Sequence, residues 1–265
     1  MPEPRALITL ITDFGTTEPF VGVMKGVILG IHPRASIVDI THEVPAQDIG
    51  AASYHLSNAW THFPRGTVHL AVVDPGVGSA RRALAAAAEG HLFVAPDNGL
   101  LTPVFKFPWR AFTITARQYT APSPSPTFHG RDIFAPAAAH LARGASIENL
   151  GEQVDDPVRL PAEAPEVSAS MIRARVLHID RFGNVVLNVG EMDLGRAASR
   201  DAGFGVSAEI GGRTIGRFVT HYAAAEGDLC LLMNSDGRLE IALPGGSAAA
   251  GLGLRRGADV LLRVR

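Results

Sequence analysis

The chain has 265 residues, 46% of them apolar, with a formal charge of -2. That length allows one large or two small domains with a sizeable core, and the near-neutral balance supplies no basic face for nucleic acid. A single cysteine, Cys230, excludes an internal disulfide and a cysteine-based zinc site, and its run LCLLM reads as a buried structural thiol.

The opening segment MPEPRALITLITDFG lacks the apolar core of a signal peptide, and no stretch has the uncharged length of a membrane span. A soluble cytoplasmic protein without membrane contact is expected. ALITLIT (6–12) reads as a buried strand ending in a turn at Asp13 and Gly15. PFVGVMKGVILGIHP (19–33) has helical spacing, with Val23, Val27, Ile28 and Ile31 on one face. ASIVDIT (35–41) is a second strand. DIGAASYHLSNAWTHF (48–63) is a second helix with Asp48 as its N-cap, and TVHLAVV (67–73) a third strand running into Asp74. The order β-α-β-α-β is that of a parallel, Rossmann-like sheet with helices on its faces. HLFVAPDNGLL (91–101) adds a strand with a turn at its carboxyl end.

The Pro/Ser alternation in 116–130 predicts an extended loop, and 131–144 a helix closed by Gly144 and kinked by an interior Pro136. Residues 151–169, acidic and proline-rich, read as a linker. From 170 onward, short apolar runs separated by Gly, Asn and Asp predict an all-β domain, a small barrel. The expected organisation is an α/β domain over 1–150, a linker over 151–169 and a β-barrel domain over 170–265.

Ligands of open parallel sheets sit beyond the carboxyl ends of the strands. Asp13, Asp74 and the Asp97–Asn98 pair stand there. Each suits a turn cap, and two of them followed by glycine-bearing turns suit a site. The stretch VVDPGVGSARRA (72–83) lacks the third glycine of a dinucleotide fingerprint, and the chain has no GK[ST] phosphate loop. A carboxylate there would repel phosphate but accept hydrogen bonds from a ribose diol. His129 precedes a helix after the Pro/Ser loop and equally suits a cap. In IDRFGNVVLN (179–188), Asp180, Phe182 and Asn184 stand around one tight turn. They form either a hairpin with a core Phe or a platform that stacks on a flat heterocycle and reads its edge. NSDGRLEIALPGG (234–246) offers Ser235 and Glu240 on another hairpin. The segment THEV is no HExxH, and no His/Asp/Glu cluster has metal-ligand spacing, so no metal is expected.

Seven segments appear in order: ITDFGTTEPFVGVMKG, DITHEVPAQDI, VVDPGVGSARR, APDNGLL, FHGRDIFAP, IDRFGN and NSDGRLEIA. In these the chain resembles the S-adenosylmethionine hydroxide adenosyltransferases, also called S-adenosylmethionine hydrolases (adenosine-forming), relatives of the fluorinase and chlorinase enzymes. The resemblance implies displacement of methionine by water at the ribose 5′ carbon, giving adenosine and L-methionine. It implies a homotrimer with sites at subunit interfaces, and no cofactor, S-adenosylmethionine being the substrate. An Asp–Arg–His triad holds the water in the hydrolase branch, and Asp74, Arg81 and His129 match it, His129 being the natural candidate for the proton acceptor, with the choice among the three members open. Asp13 matches the ribose-holding aspartate, and Asp74 also lies against the adenosine. Phe182 and Asn184 match the adenine-contacting pair, while Ser235, Glu240 and Leu243 line the methionine and adenine end. Glu18 stands in place of the usual aspartate and Leu187 in place of a common threonine. Arg82 has no assigned part. The substrate could also be the epimer inverted at sulfur. The alternatives are a chlorinase-type halogenase, which would lack the triad, and a non-catalytic nucleoside-binding module, which would not need it.

Overall fold

The computed structural model describes residues 6–162, 164–198 and 205–265. Its contacts divide the chain into two compact units, Met1–Leu160 and Pro161–Arg265.

The first unit holds strands β1 (Leu7–Thr12), β2 (Ser36–Thr41), β3 (Val68–Val72), β4 (Ala83–Ala88), β5 (His91–Pro96) and β6 (Trp109–Thr113), and helices α1 (Phe20–Ile31), α2 (Ile49–Ala59) and α3 (Ala135–Ala142). The sheet order is β2-β1-β3-β5-β4-β6. The first four strands of that order are parallel, and β4 alone is reversed, pairing antiparallel with β5 on one side and β6 on the other. The expected parallel sheet is therefore mixed. The sequence ALAAAA of β4 carries none of the β-branched or aromatic residues that announce a strand. It is buried because it lies between β5 and β6, where small side chains fit.

Alternation along β1 shows how the layers form. Ile8 and Leu10 face α1 and α3, while Ile11 faces α2. In α1 the inward residues are Val21, Met24 and Ile28, with Val27 and Ile31 half-buried, whereas Val23 points to solvent. Asp48 caps α2 as predicted, accepting from the Ala51 N–H at 2.9 Å. Pro136 does not kink a helix interior. A π-helical turn, Gly130–Phe134, precedes α3, so Pro136 falls in the first turn of α3, where its missing N–H costs nothing.

The segment read as a linker is ordered at both ends. Val154 is buried, the Val158 N–H donates to Asp97 at 2.8 Å and the Leu160 N–H to Thr102 at 2.8 Å, placing 151–160 in the first unit. Arg82 holds the same segment through Asp97 (2.7 Å) and Asp156 (2.7 Å). Acidic and proline-rich composition signalled exposure but could not show that Arg82 waits for one of the acids. Farther on, Glu166–Ser168 is strand β7, paired with β8.

The second unit is antiparallel throughout its named strands. They are β8 (Met171–Ile179), β9 (Val185–Gly190), β10 (Val206–Ile210), β11 (Arg213–Ile215), β12 (Cys230–Met233), β13 (Arg238–Ala242) and β14 (Asp259–Val264), with short helices α4 (Glu191–Ala197) and α5 (Ala248–Leu252). The order is β11-β10-β14-β8-β9-β13-β12. Beyond β11, the Val219 N–H bonds to the Leu231 carbonyl (2.9 Å) and the Leu231 N–H to the Arg217 carbonyl (2.8 Å). The segment just past β11 thereby bridges to β12, which nearly closes the path and makes the sheet barrel-like. Burial alternates over the first six residues of β8, with Ile172, Ala174 and Val176 inward and Met171, Arg173 and Arg175 outward. Cys230 is buried in this unit, and burial raises its thiol pKa, as suits a structural role. Among the described residues no helix is long and apolar enough to cross a membrane.

Candidate active site

In the first unit the loop after β3 and the residue that opens the π turn before α3 bring three side chains together, Asp74, Arg81 and His129. Asp74 follows β3. Arg81 returns to it over a loop of two successive turns, Val77 N–H to Asp74 O and Ser79 N–H to Gly76 O. The guanidinium donates from Nε to Asp74 Oδ1 at 2.9 Å and from Nη2 to Asp74 Oδ2, a bidentate pair. Nη2 also lies 2.6 Å from Nδ1 of His129. The Arg81 and Asp74 side chains are only 11% and 6% exposed, so neither charge could stay there without the other. The Phe134 ring closes the far side, with its centroid 5.1 Å from Arg81 Cζ.

An arginine only donates. Nδ1 of His129 is therefore the acceptor, and the neutral ring carries its hydrogen on Nε2. Burial and the Arg81 charge hold the His129 pKa below the ordinary histidine value, against smaller opposing pulls from Asp74 and Asp132. The ring stays neutral near neutral pH and offers Nε2–H as a donor. The ring's one basic nitrogen is thus the one that faces Arg81.

Asp13 lies half-buried on the turn after β1, and its Oδ2 accepts from the Gln47 N–H at 2.8 Å. Gln47 sits in the left-handed region, φ 65°, which the sequence did not signal. His42 braces the same turn. Its Nδ1 is 2.8 Å from Thr12 Oγ1 and its carbonyl accepts from the Gly15 N–H at 2.8 Å. Glu18 is exposed just before α1. Asp97 and Asn98 serve the scaffold. Asp97 takes Arg82, and Asn98 donates to the Val73 carbonyl at 2.9 Å, fixing the base of the Asp74 loop.

The other predicted residues are in the second unit. Asp180 accepts from the Phe182 and Asn184 N–H groups, each at 2.9 Å, and from the Asn184 side-chain amide at 2.9 Å. This closes a rigid turn around Gly183 (φ 84°), which packs directly on Ser247 at the start of α5. A Cβ on residue 183 would lie 2.1 Å from Ser247 Oγ, so only glycine fits. Phe182 stands on that turn 76% exposed and is not the core phenylalanine of an ordinary hairpin. Glu240 is 3% exposed and accepts from Tyr222 Oη at 2.9 Å and Asn234 Nδ2 at 3.3 Å. Burial, with Asp180 and Asp236 nearby, raises its pKa. Burial and the same carboxylate push Tyr222 up to about 12. Ser235 is exposed on the turn between β12 and β13, and Leu243 is half-buried just past the far end of β13. Tyr222 was absent from the sequence reading because THYAAA carries no motif. Among the described residues no group of three or more His, Cys, Asp or Glu is gathered as a metal site would be.

Two family models match the chain, the SAM hydroxide adenosyltransferase N-terminal domain over residues 8–151 and the C-terminal domain over 174–261. The chain belongs to the SAM hydroxide adenosyltransferase family. It is 39% identical to the (R)-S-adenosyl-L-methionine hydrolase of Thermus thermophilus, over 96% of this chain and 98% of that protein. A fluorinase of Actinoplanes is 30% identical over 72% of this chain and 74% of its own length. A crystal structure of a conserved protein from Thermotoga maritima, described as uncharacterized, superposes with a TM-score of 0.88 at 36% identity, covering 97% of this chain and 99% of that one.

Proposed function

We propose that the chain hydrolyses S-adenosyl-L-methionine, the sulfur-R epimer in particular, to adenosine and L-methionine. The observation that carries the reading is the continuous Asp74–Arg81–His129 array, buried on one side by Phe134, in a chain similar to hydrolases over nearly its whole length.

Water attacks the ribose 5′ carbon as the bond to sulfur breaks. The electron pair leaves with sulfur, so the sulfonium becomes the neutral thioether of methionine and the attacking oxygen becomes the 5′ hydroxyl, losing one proton. His129 Nε2–H donates to a lone pair of the water and aims the other at carbon. Asp74, the anion of the array, accepts a water hydrogen and receives the proton once the new C–O bond makes it acidic. Arg81 fixes both partners and keeps His129 neutral. Placing one water in line removes much of the entropic barrier, and the positioned proton acceptor adds about 10²–10⁴ in rate. Asp13 suits the ribose diol, Phe182 and Asn184 the adenine, and Ser235, Glu240 and Leu243 the methionine and adenine end, with Glu18 beside the Asp13 turn.

Assembly as a homotrimer with sites at subunit interfaces belongs to the same proposal. It is supported by exposed Gly22, Gly26 and Gly30 along α1, flanked by exposed Phe20, Val23 and Leu29, a face that a second copy could approach closely.

The test is a product chromatogram with each sulfonium epimer in oxygen-18 water. Adenosine labelled at the 5′ hydroxyl, formed faster from the R epimer, is expected. Intact substrate after long incubation, or 5′-chloroadenosine formed in chloride, would overturn the reading.

A further inference from the structure

Asp132 belongs to none of the groups assigned above. It lies three residues beyond His129, within the π turn, and is 5% exposed. Turns of this kind are frequent at functional sites. Its carboxylate is fully committed. Oδ1 accepts from Arg131 Nε at 2.6 Å, and Oδ2 from Arg131 Nη2 at 2.7 Å and from the Ser125 N–H at 2.8 Å. Its own carbonyl accepts from the Ala121 N–H at 2.7 Å. One residue thus ties down a strap, 121–126, stiffened by Pro122, Pro124 and Pro126.

The strap meets the Asp74 loop. At Gly78 (φ 78°) a Cβ would lie 2.4 Å from the Pro126 carbonyl oxygen, so strap and loop are in direct backbone contact. On the other side, Arg131, held by Asp132, lies with Cζ 5.2 Å from the centroid of Phe128, the neighbour of His129. Phe128 packs edge-on against Phe14 (6.1 Å), the neighbour of Asp13. The segments that carry Asp13, Asp74 with Arg81, and His129 therefore meet through contacts that begin at Asp132.

We propose that Asp132 is a positioning residue that holds the strap and the Phe128–His129 step in place, so that Nδ1 of His129 stays on Arg81. This rests on the reading of Asp74, Arg81 and His129 as the reaction centre. Its carboxylate touches neither Arg81 nor His129 and acts through the backbone and through charge. The charged groups facing His129 are Arg81, Asp74 and Asp132, and Arg81 lowers its pKa while the two carboxylates raise it.

The test compares Asp132→Asn, Asp132→Glu and His129→Ala in steady-state kinetics across pH, with thermal melts. For D132N, kcat falls roughly tenfold with KM within about twofold, as for loss of alignment. The acid limb of kcat/KM moves to lower pH, because Arg81 is then less opposed. D132E keeps the charge on a longer arm, so kcat falls while the acid limb stays. Wild-type kcat in both variants overturns the assignment, as does a loss of kcat with a lowered Tm and no difference between their pH limbs. If H129A also keeps wild-type turnover, the reading of the reaction centre has failed. If H129A is inactive while D132N is unchanged, only the Asp132 assignment has failed. Should neither Asp132 variant fold, Ser125→Pro removes the N–H that the carboxylate accepts from the strap, with Ser125→Ala, which removes only the hydroxyl bonded to Thr127, as its control. A lowered kcat then supports the assignment and wild-type kcat overturns it.

Discussion

Nη2 of Arg81 stands 2.6 Å from Nδ1 of His129. The contact decides which nitrogen carries the ring hydrogen, and so decides between two chemistries. A histidine acting as base needs a free lone pair on the water side. A histidine acting as donor needs only Nε2–H, which a glutamine amide can imitate. His129→Ala is expected to lower kcat by about 10²-fold. His129→Gln is expected to retain at least roughly tenfold more activity than the alanine variant, since one well-placed donor is worth that much. Both are read from initial rates of adenosine formation. Equal inactivity of the two would return the base role to His129. The acid side follows with its sign. Because the His129 pKa is depressed, the ring stays neutral, and kcat/KM is kept, until pH falls below the ordinary value of about 6.5.

Phe182 separates binding from folding. It is 76% exposed, so Phe182→Ala should change stability by less than about 0.5 kcal/mol. Base–aromatic stacking is worth about 1–3 kcal/mol, so KM should rise by at least roughly fivefold. Thermal melts and substrate titrations give the two quantities. A destabilised protein with unchanged KM would mean that the ring packs within the protein.

Much of the fold was legible because its apolar runs are bounded by clear turn signals. β1 and β3 are apolar runs ending in Asp-bearing turns, and the strands of the second unit are short runs set off by Gly, Asn and Asp. β4 was illegible because six residues of alanine and leucine carry no strand preference, and only pairing with β5 and β6 makes them one. At the candidate site, the spacing of Asp74 from Arg81 and the glycines between them were visible. The tautomer of His129 was not, since it depends on a contact 48 positions away in sequence. Gln47, Tyr222 and Asp132 were missed for the same reason. Each acts through a partner, Asp13, Glu240 or the strap, that no local pattern names.

Gly183 tests whether the Phe182 turn is as rigid as its contacts imply. Gly183→Ala adds a left-handed alanine, about 1–2 kcal/mol, and drives Cβ to 2.1 Å from Ser247 Oγ and 2.8 Å from Ser247 Cα. The same change at Gly211 (φ 55°) meets nothing within 4 Å and incurs only the backbone part. Chemical denaturation should therefore rank G183A as less stable than G211A by at least about 1 kcal/mol. G183A should also raise KM by displacing Phe182. Equal stability of the two variants would mean that α5 moves away without resistance.

The last prediction concerns acid stability. His69 and His91 lie on the α2 side of the sheet beside Trp60 and Phe93, with His69 Nδ1 2.8 Å from Thr9 Oγ1 and its Nε2 3.2 Å from His91 Nδ1. Burial first, then the neighbouring His91, pushes the His69 pKa down to about 3. In the unfolded chain a histidine titrates near 6.5, so between those values the unfolded state binds the extra proton and stability rises with pH. The contribution is complete above about pH 6.5 and is lost progressively as pH falls toward 3, each unit of pH weakening the fold by up to about 1.4 kcal/mol through this residue. His69→Gln keeps a hydrogen-bonding group for Thr9 and cannot titrate. Its Tm should be lower at pH 7.5, where the wild-type packing is intact, but should fall less between pH 7 and pH 5 than that of the parent. Parallel Tm profiles for the two proteins would place the acid sensitivity elsewhere.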